Sequence, residues 1–471
     1  MMLRLFNNIV IAALTITFLF SIFSSCSSPE PEPFGPVPTE AQLAWQRMEI
    51  NMFCHFGPNT FTGAEWGDGK EAEEVFNPAA LDCRQWVEVA KQAGMGGIIL
   101  TAKHHDGFCL WPSAYSTHTV ADTLDVLRAF VDACRGRVRA GVYISPWDRN
   151  HPAYGTKEYN TVFANTLQEV HKTYGPFFEQ WFDGACGEGP NGKRQEYDWP
   201  LFENTVFDIN SNCVIFSDVG PGCRWVGNEE GRAGETCWST LNTEGASPSE
   251  NKPAPEVLTV GHQGGSHWVP AEVDVSIRSG WFWHANEHPK TVDELMEIYY
   301  NSVGRNGLLL LNVPPDTNGR ISAEDSTVLV AFRAKRDRVF ADDETTGGMA
   351  TGKHLRGRRY KAENVLDTAY HTYWAASSVD DTLYIGTPDP AMFDIIMLQE
   401  YVPLGQRVSA FHIECWQPWL GGWVTIAEGT TIGYKRLIRV PMTQTKRLRV
   451  VFDSAMAAPI INRFALYSST R

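Results

Sequence analysis

The sequence predicts an α/β protein: a (β/α)-barrel domain followed by a C-terminal antiparallel β-sandwich. From about Glu40 to Arg338, short apolar runs alternate with segments of helical periodicity, which is typical of parallel strands joined by helices. After Arg338 the chain becomes polar and glycine-rich, and from Trp374 to Tyr467 short alternating runs are separated by turns. A doubly wound open sheet is the alternative for the first part, but no glycine-rich phosphate loop follows the first strand.

The barrel elements follow one another along the chain. Runs of apolar and β-branched residues predict strands over 50–57, 97–101, 138–145, 176–183 and 212–218, with less regular ones over 273–284 and 307–313. Helical spacing predicts helices over 81–94, 123–134 and 161–174. Gly94 is a stop signal for the first helix, whose apolar face includes Trp86, Val89 and Ala90.

The N-terminus has the pattern of an export signal. Arg4 precedes an apolar run over 9–23, and Ser24-Ser25-Cys26 follows it. This ending resembles a bacterial lipobox, which implies that Cys26 becomes the lipid-modified first residue of a cell-envelope lipoprotein on the periplasmic side or the outer-membrane surface. A plain secretory signal is the alternative. We therefore divide the chain into a signal (1–26), a Pro-, Ser- and Glu-rich tether (27–39), the barrel (40–338) and the sandwich (339–471).

Composition narrows the class of partner. The net charge of −15 argues against nucleic acid and anionic membrane surfaces, and leaves the Cys26 anchor as the membrane contact. Sixteen Trp suit carbohydrate binding, although buried core positions explain most of them equally well. Besides Cys26 the chain has nine Cys, an odd number, and no CxxC pair, which argues against a zinc cluster.

The run Trp181-Phe182-Asp183-Gly184 ends the fourth predicted strand on a carboxylate. In a (β/α)-barrel, the C-terminal end of a strand faces the active-site mouth. A carboxylate among aromatic rings there suits sugar chemistry, because rings stack on a pyranose and the carboxylate can attack an anomeric carbon. The alternative is that Asp183 only caps the turn at Gly184.

The other strand ends also carry polar or aromatic groups, which predicts that they converge on one site. They are His55 with Glu65-Trp66 after strand one, the run from Lys103 to Phe108 after strand two, and Tyr143 with Trp147-Asp148 at strand three. His104, His105 and Asp106 also suggest a zinc site. Against this, adjacent strand residues point to opposite faces unless the strand bends, and neutral imidazoles also bind sugar hydroxyls.

Several motifs together resemble the family 29 α-L-fucosidases: His55-Phe56-Gly57, Glu65-Trp66, the string from Thr101 to Phe108, Trp181-Phe182-Asp183-Gly184, and the stretch from Trp268 to Phe282. The resemblance covers the chain from about Glu40 onward. It implies a retaining exo-hydrolase of terminal α-L-fucose with Asp183 as the nucleophile. It also implies a substrate pocket formed by His55, Glu65, Trp66, His104, His105, Tyr143 and Trp181.

The general acid/base is less determined. The run Arg224-Trp225-Val226-Gly227-Asn228-Glu229 resembles the subgroup that cleaves α-1,3 and α-1,4 linkages, in which the Glu after Gly-Asn is the acid/base. That assigns Glu229. Glu272, among aromatic residues ahead of a predicted strand, is the alternative acid/base and otherwise a pocket residue. We interpret Glu230 and Glu235 as solvated loop charges.

The sequence therefore predicts an α-L-fucosidase acting on Lewis-type oligosaccharides or glycoprotein glycans. No metal or cofactor is required, since two carboxyl groups supply the nucleophile and the proton. A fucosidase of relaxed linkage specificity, a hydrolase of another sugar and a non-catalytic glycan-binding lipoprotein are the alternatives. Trp281 or Phe282 could contact the C5 methyl group of fucose. Trp374, Trp416, Trp419 and Trp423 could form a sugar-binding surface or pack against the barrel.

Overall fold

The computed structural model describes residues 29–121, 123–354 and 356–470. The predicted signal and Cys26 lie outside these residues. The predicted fold class is confirmed: eight parallel strands close into a barrel, and an antiparallel sheet follows it. In the described ranges, no helix is long and apolar enough to span a bilayer.

The barrel-forming part of the chain contains nine helices and ten strands among the described residues. The helices are α1 Glu40–Gln46, α2 Pro58–Thr62, α3 Cys83–Ala93, α4 Val126–Cys134, α5 Lys157–Thr173, α6 Trp199–Ile209, α7 Pro255–Val260, α8 Val292–Asn301 and α9 Ala323–Val339. The strands are β1 Ile50–Cys54, β2 Gly97–Lys103, β3 Arg139–Ile144, β4 Glu179–Trp181, β5 Val214–Ser217, β6 Cys223–Trp225, β7 Thr240–Leu241, β8 His267–Trp268, β9 Ala271–Ser276 and β10 Leu308–Asn312.

The barrel order is β1-β2-β3-β4-β5-β6-β9-β10, with β10 pairing back to β1. The short antiparallel pair β7-β8 is inserted between the sixth and seventh barrel strands. Local signals explain several helices, and α3 is a clear case. Asp82 accepts a hydrogen bond from the Gln85 amide at its start, and Gly94 ends it in the left-handed region with φ 73°.

One connection departs from the predicted alternation. Only five residues, Asp218 to Gly222, join β5 to β6, so no helix covers the barrel there. The register shows how so short a link suffices: Cys223 pairs beside Phe216, so β6 begins only one residue below the end of β5. Where a helix between β5 and β6 would lie, there is a groove of about 800 Å³ between α6 and the residues around β8. Its lining includes Glu203, Phe207, Val219 and Trp268.

Glu203 gives a stability prediction. Burial in the groove raises the pKa of its carboxyl to about 7, above the usual value of about 4.3. The ionised form is therefore penalised in the folded state, and stability is lost as pH rises through 7. We expect Glu203→Gln to raise the free energy of unfolding at pH 8 by about 1–2 kcal/mol, with little change at pH 4.5. Urea unfolding at both pH values checks this, with exposed Glu196→Gln as the control; an equal effect at both would contradict it.

The C-terminal sheet has seven strands and three short 3₁₀ segments beside it. The strands are β11 Met349–Gly352, β12 Trp374–Ala375, β13 Thr382–Glu400, β14 Val408–Gln417, β15 Gly422–Gly429, β16 Arg436–Ala455 and β17 Ile460–Tyr467. They pair in the order β12-β17-β13-β16-β14-β15, with β11 on β13. The 3₁₀ segments are Arg358–Tyr360, Ala362–Leu366 and Val402–Leu404, and a fourth, Glu73–Val75, lies in the barrel.

Side chains on β13 alternate between the two faces of the sheet, so the sheet contributes to two hydrophobic cores. Ile396 and Leu398 join the core of the sheet itself, whereas Ile395 and Met397 belong to the core that includes the barrel helices. Trp374 is 1% exposed in the first of these cores, so its proposed role in a sugar-binding surface is wrong. Trp416, Trp419 and Trp423 lie elsewhere, on or beside β14 and β15.

Candidate active site

Asp183 lies two residues beyond β4, at the mouth of the barrel. Its Oδ1 accepts a hydrogen bond from the Ala185 amide at 2.7 Å, and its Oδ2 accepts one from the Tyr143 hydroxyl at 3.1 Å. Burial, together with the charge of Asp183, raises the pKa of Tyr143 well above its usual range, so its hydroxyl stays protonated and donates. The two interpretations of Asp183 are thus compatible: one oxygen caps the turn and the other faces the site.

His105 stands beside the second oxygen of Asp183, with Nε2 3.6 Å from Oδ2. The Ser145 hydroxyl donates to the carbonyl of Trp147, so Nδ1 of His105 must donate to Ser145 Oγ, 2.8 Å away. Burial lowers the pKa of His105 to about 4, against the opposing charge of Asp183. His105 Nε2 is therefore free to accept a hydrogen bond. Together with Asp183 Oδ2 it offers two neighbouring acceptors to one hydroxyl group of a substrate.

The two adjacent histidines both reach the site, which strict strand alternation would forbid. β2 ends at Lys103, and its pairing with β3 shifts register between Thr101 and Lys103, so the chain bends before His104. The rings of His104 and His105 lie 4.2 Å apart, and His104 also stacks near Tyr143. Burial lowers the pKa of His104 well below its usual range, which keeps it neutral.

His55 is held in one tautomer by Asn312, at the end of β10. The Asn312 amide nitrogen donates to the carbonyl of Trp281 at 2.8 Å, which leaves Asn312 Oδ1 as an acceptor. His55 Nδ1 lies 2.9 Å from that oxygen and must donate to it, so Nε2 is free to accept. Burial lowers the pKa of His55 to about 3. His55 and His105 are thus both preset as neutral acceptors.

Glu65 connects the loop after β1 to the loop after β9. Its carboxylate accepts from the Trp281 amide at 2.7 Å and contacts His284 Nε2 at 2.6 Å. These contacts explain why the predicted strand over 273–284 stops at Ser276: the chain turns to meet Glu65. Trp66 is 59% exposed at the rim, where its ring lies 5.7 Å from that of His105.

Glu229 lies at the rim, where the Trp281 indole donates to it at 3.3 Å. Desolvation at the wall of the mouth and the negative charge of Asp183 raise its pKa. Beneath it, the buried Asp274 of β9 accepts from the Trp225 indole at 3.1 Å. Burial, with the charge of Glu229, raises the pKa of Asp274 well above its usual range. The mouth therefore places the carboxyl groups of Asp183 and Glu229 above Asp274, whose raised pKa keeps it protonated.

The structure corrects the expected position of Glu272. It is fully buried near the start of β9, and it lies below Trp181, whose indole donates to it at 2.8 Å. Burial and the neighbouring Glu179 raise the pKa of Glu272 well above its usual range, so this acid stays protonated inside the barrel. Trp181 stacks on Phe216 at 3.8 Å and closes the pocket floor above Glu272. A direct sugar contact by Glu272 does not fit this position.

The other glutamates considered from sequence lie away from the mouth. Glu230 is exposed and pairs with Arg232 at 2.5 Å, as expected of a loop charge. Glu235 is not a free loop charge: it pairs with Arg305 and, at 2.5 Å, with Arg436 of the C-terminal sheet. Within the described ranges, the side chains whose ligand atoms converge are Glu179, Cys223 and Glu272, and not His104, His105 and Asp106.

Sequence reasoning missed the residues that hold the site groups in place. Asn312 and Ser145 fix the tautomers of His55 and His105. Lys103 and Asp148, which the sequence did place among the strand-end groups, pair at 3.0 Å with both side chains buried, and this ion pair holds the ends of β2 and β3 together. Asp274 could have been found, since Glu272, Asp274 and Ser276 alternate along β9 with the period of a strand that turns one face inward. Asn312 carries no such signal, because its role depends on a neighbouring strand.

Comparison with known proteins agrees with this geometry. The family model for α-L-fucosidase matches residues 34–333. Alpha-L-fucosidase 1 of Arabidopsis thaliana is 40% identical over 96% of this chain and 92% of its own length. The structure of a Ruminococcus gnavus fucosidase in complex with fucose superposes with a TM-score of 0.86 at 31% identity, covering 95% of this chain and 98% of that one. The crystal structure of SpGH29 gives a TM-score of 0.88 at 35% identity, over 93% and 100%.

Proposed function

This chain belongs to the α-L-fucosidase family and is a glycoside hydrolase of that activity, and we propose that it works by a retaining double displacement. In this proposal Asp183 is the nucleophile and Glu229 is the general acid/base. The substrate is terminal fucose joined by α-1,3 or α-1,4 linkages in Lewis-type glycans. The observation that carries the proposal is the placement of these two carboxyl groups at one barrel mouth, where desolvation and, to a smaller extent, the charge of Asp183 raise the pKa of Glu229.

The surroundings of Asp183 support its role as the nucleophile. The Tyr143 hydroxyl and the Ala185 amide orient the carboxylate, and no cation lies against it among the described residues. Its charge is thus held by two hydrogen bonds and left available to attack. Tyr143, which is buried, contributes orientation more than pocket surface.

Glu229 fits the role of general acid/base better than Glu272 does. An acid must reach the glycosidic oxygen and hold its proton at working pH. Glu229 lies at the rim, and its raised pKa favours the protonated form, so both observations support this role. Glu272 holds a proton too, but the floor formed by Trp181 separates it from any sugar in the mouth.

The reaction then proceeds in two balanced steps. An oxygen of Asp183 bonds to the anomeric carbon as the bond to the leaving oxygen breaks, and Glu229 gives its proton to that oxygen. Glu229, now ionised, takes a proton from water as the water oxygen bonds to the anomeric carbon and the Asp183 ester breaks. Two inversions release fucose with its original configuration. The chemistry requires no cofactor, because these carboxyl groups supply both the nucleophile and the proton.

The neutral acceptors around the pocket suit the sugar hydroxyls. His55 Nε2 and His105 Nε2 each accept without carrying charge. Trp66 and Trp281 provide apolar surface at the rim, while Phe282 is fully buried behind the rings of His55 and His104. Among the two candidates for contact with the C5 methyl group, this arrangement favours Trp281.

The pH profile gives a direct prediction. We expect kcat/KM to fall on the alkaline side as Glu229 loses its proton, at a pH above the usual glutamate value of about 4.3. His55 and His105, with pKa values of about 3 and about 4, stay neutral and add no limb above pH 5. Glu229→Gln assayed on an activated aryl fucoside should lack the alkaline limb. Persistence of that limb in the variant would assign it to another group.

Linkage specificity is tested by comparing substrates. We expect cleavage of a Lewis-type trisaccharide and none of a 2-linked fucosyl-lactose, because the Glu229 loop resembles that of the 1,3/1,4-cleaving subgroup. Release from both, and from an aryl fucoside, would instead show relaxed specificity. Binding of these substrates without release of fucose would contradict hydrolysis altogether.

We also propose that the protein is a cell-envelope lipoprotein anchored through Cys26. The support is the lipobox-like Ser24-Ser25-Cys26 and the Pro-rich tether after it. Labelled fatty acid should be incorporated into the full chain and not into Cys26→Ser. Incorporation into both would contradict the anchor.

A further inference from the structure

A row of side chains crosses the outer face of the C-terminal sheet on five adjacent strands. The register places Trp423 of β15 opposite Trp416 of β14. The next positions along the same row are Arg447 of β16, Gly386 of β13 and Met349 of β11. Neighbouring residues such as Leu448 and Cys415 point to the opposite face and fill the core. We call this set the outer row.

Arg447 is the only cation of the outer row. Its guanidinium lies 4.8 Å from the ring of Trp416 and 5.5 Å from that of Trp423. These contacts hold the side chain in place without neutralising it. One row further along, Arg449 is paired with Glu414 and is therefore neutralised. Arg447 has no carboxylate within ion-pair distance among the described residues, so its N–H donors are free for an anion.

The space beside Arg447 is open on the side away from the two indoles. A Cβ placed on Gly386 would meet no atom closer than 3.9 Å, so the backbone is bare next to the guanidinium. Beyond it, Met349 is 73% exposed. On the aromatic side, the turn between β14 and β15 carries Trp419, which is 75% exposed. We call the outer row together with Trp419 the track: it combines exposed apolar side chains with a cation that has no ion-pair partner among the described residues.

We propose that this track is a second glycan-binding site, separate from the catalytic mouth, and that its ligand is an oligosaccharide with a carboxylate or sulfate group. The indole of Trp419 would stack on a pyranose face, and Arg447 would bind the anion through paired N–H donors. The bare backbone at Gly386 would admit the neighbouring sugar. The inference uses only the C-terminal sheet, so it does not depend on the linkage or on the catalytic roles proposed above.

Charge favours a glycan over a membrane surface as the occupant. The chain carries a net charge of −15, so an anionic bilayer is repelled over most of its surface. A single anionic group on a sugar needs only one nearby cation for binding, and Arg447 of the track is such a cation.

The test measures binding of sialylated N-acetyllactosamine to the protein from residue 27 onward. This probe contains no fucose, but it is the part of a Lewis-type glycan that remains after hydrolysis, so only binding that the track variants weaken counts as binding to the track. We expect binding to the parent protein, weakened about tenfold or more by Trp419→Ala and by Arg447→Gln. Gly386→Phe should block the track, and Val330→Ala, an exposed apolar residue on α9, is the matched control. Turnover of an aryl fucoside should be the same in all four variants.

Several results would overturn the proposal. Neutral N-acetyllactosamine binding as tightly as the sialylated form would remove the role of Arg447. Binding that survives all three track variants would place the site elsewhere. Binding of vesicles containing anionic lipid, lost in Trp419→Ala, would show a membrane-facing surface instead. In contrast, absence of aryl fucoside turnover in the parent protein would contradict only the enzyme assignment, and the binding proposal would stand.

Discussion

Replacing Asp183 by glycine is expected to reduce turnover of an aryl fucoside by about 10⁴-fold or more, the scale seen when an essential nucleophile is lost. The reason is that, among the described residues, neither of the other candidate carboxyl groups can replace it: Glu229 is at the rim and Glu272 is under Trp181. The variant leaves a space that a small anion can enter. Added azide should therefore restore part of the activity and give a fucosyl azide of the opposite configuration.

The fold should tolerate this change. Asp183 makes hydrogen bonds only to Ala185 and Tyr143 among the described residues, so the unfolding midpoint should stay near that of the parent protein. Glu188→Gly, an exposed carboxylate in the same loop, is the matched control and should keep full activity. Near-normal turnover by Asp183→Gly would reject the nucleophile assignment.

Replacing Glu229 by glutamine is expected to reduce hydrolysis of a Lewis-type trisaccharide by about 10²–10⁴-fold, the usual contribution of general acid–base catalysis. The loss should be smaller for an aryl fucoside with a good leaving group, because that leaving oxygen needs little protonation. Azide should again restore activity, but now with the original configuration, since the nucleophile is intact.

Two matched variants separate the candidate acids. Glu230→Gln changes the neighbouring exposed carboxylate, which pairs with Arg232, and should keep activity within about twofold of the parent. Glu272→Gln replaces a buried, protonated acid by its neutral isostere. Its activity on the trisaccharide relative to the aryl fucoside should therefore equal that of the parent. If Glu272→Gln showed the leaving-group dependence and Glu229→Gln did not, the acid/base role would move to Glu272.

Much of the fold follows from local patterns. Hydrophobic periodicity and stop signals such as Gly94 located α3 and the first strands to within a few residues. The link between β5 and β6 was not predictable, because Cys223 to Trp225 is too short to show a strand period. The long predicted strand over 273–284 was wrong beyond Ser276, where tertiary contacts with Glu65 decide the path.

The site was predictable where residue type alone implies the chemistry. Asp183, His55 and His105 meet at the mouth because they follow parallel strands, as barrel geometry requires. The position of Glu272 was not predictable, since inward residues of one strand lie at different depths and only pairing sets the depth. It pairs with Leu308 near the start of β10, well below the mouth. The tautomers of His55 and His105 depend equally on distant partners, Asn312 and Ser145.

Trapping the intermediate is the most direct test of the retaining mechanism. The purified enzyme would be incubated with 2-deoxy-2-fluoro-fucosyl fluoride, in which the fluorine slows breakdown of the fucosyl-enzyme, and then digested for peptide mass mapping. We expect one added fluorofucosyl group, on the peptide that contains Asp183, and none on that peptide in Asp183→Gly. Label on Glu229 or on Glu272, or inactivation with no covalent adduct, would contradict it.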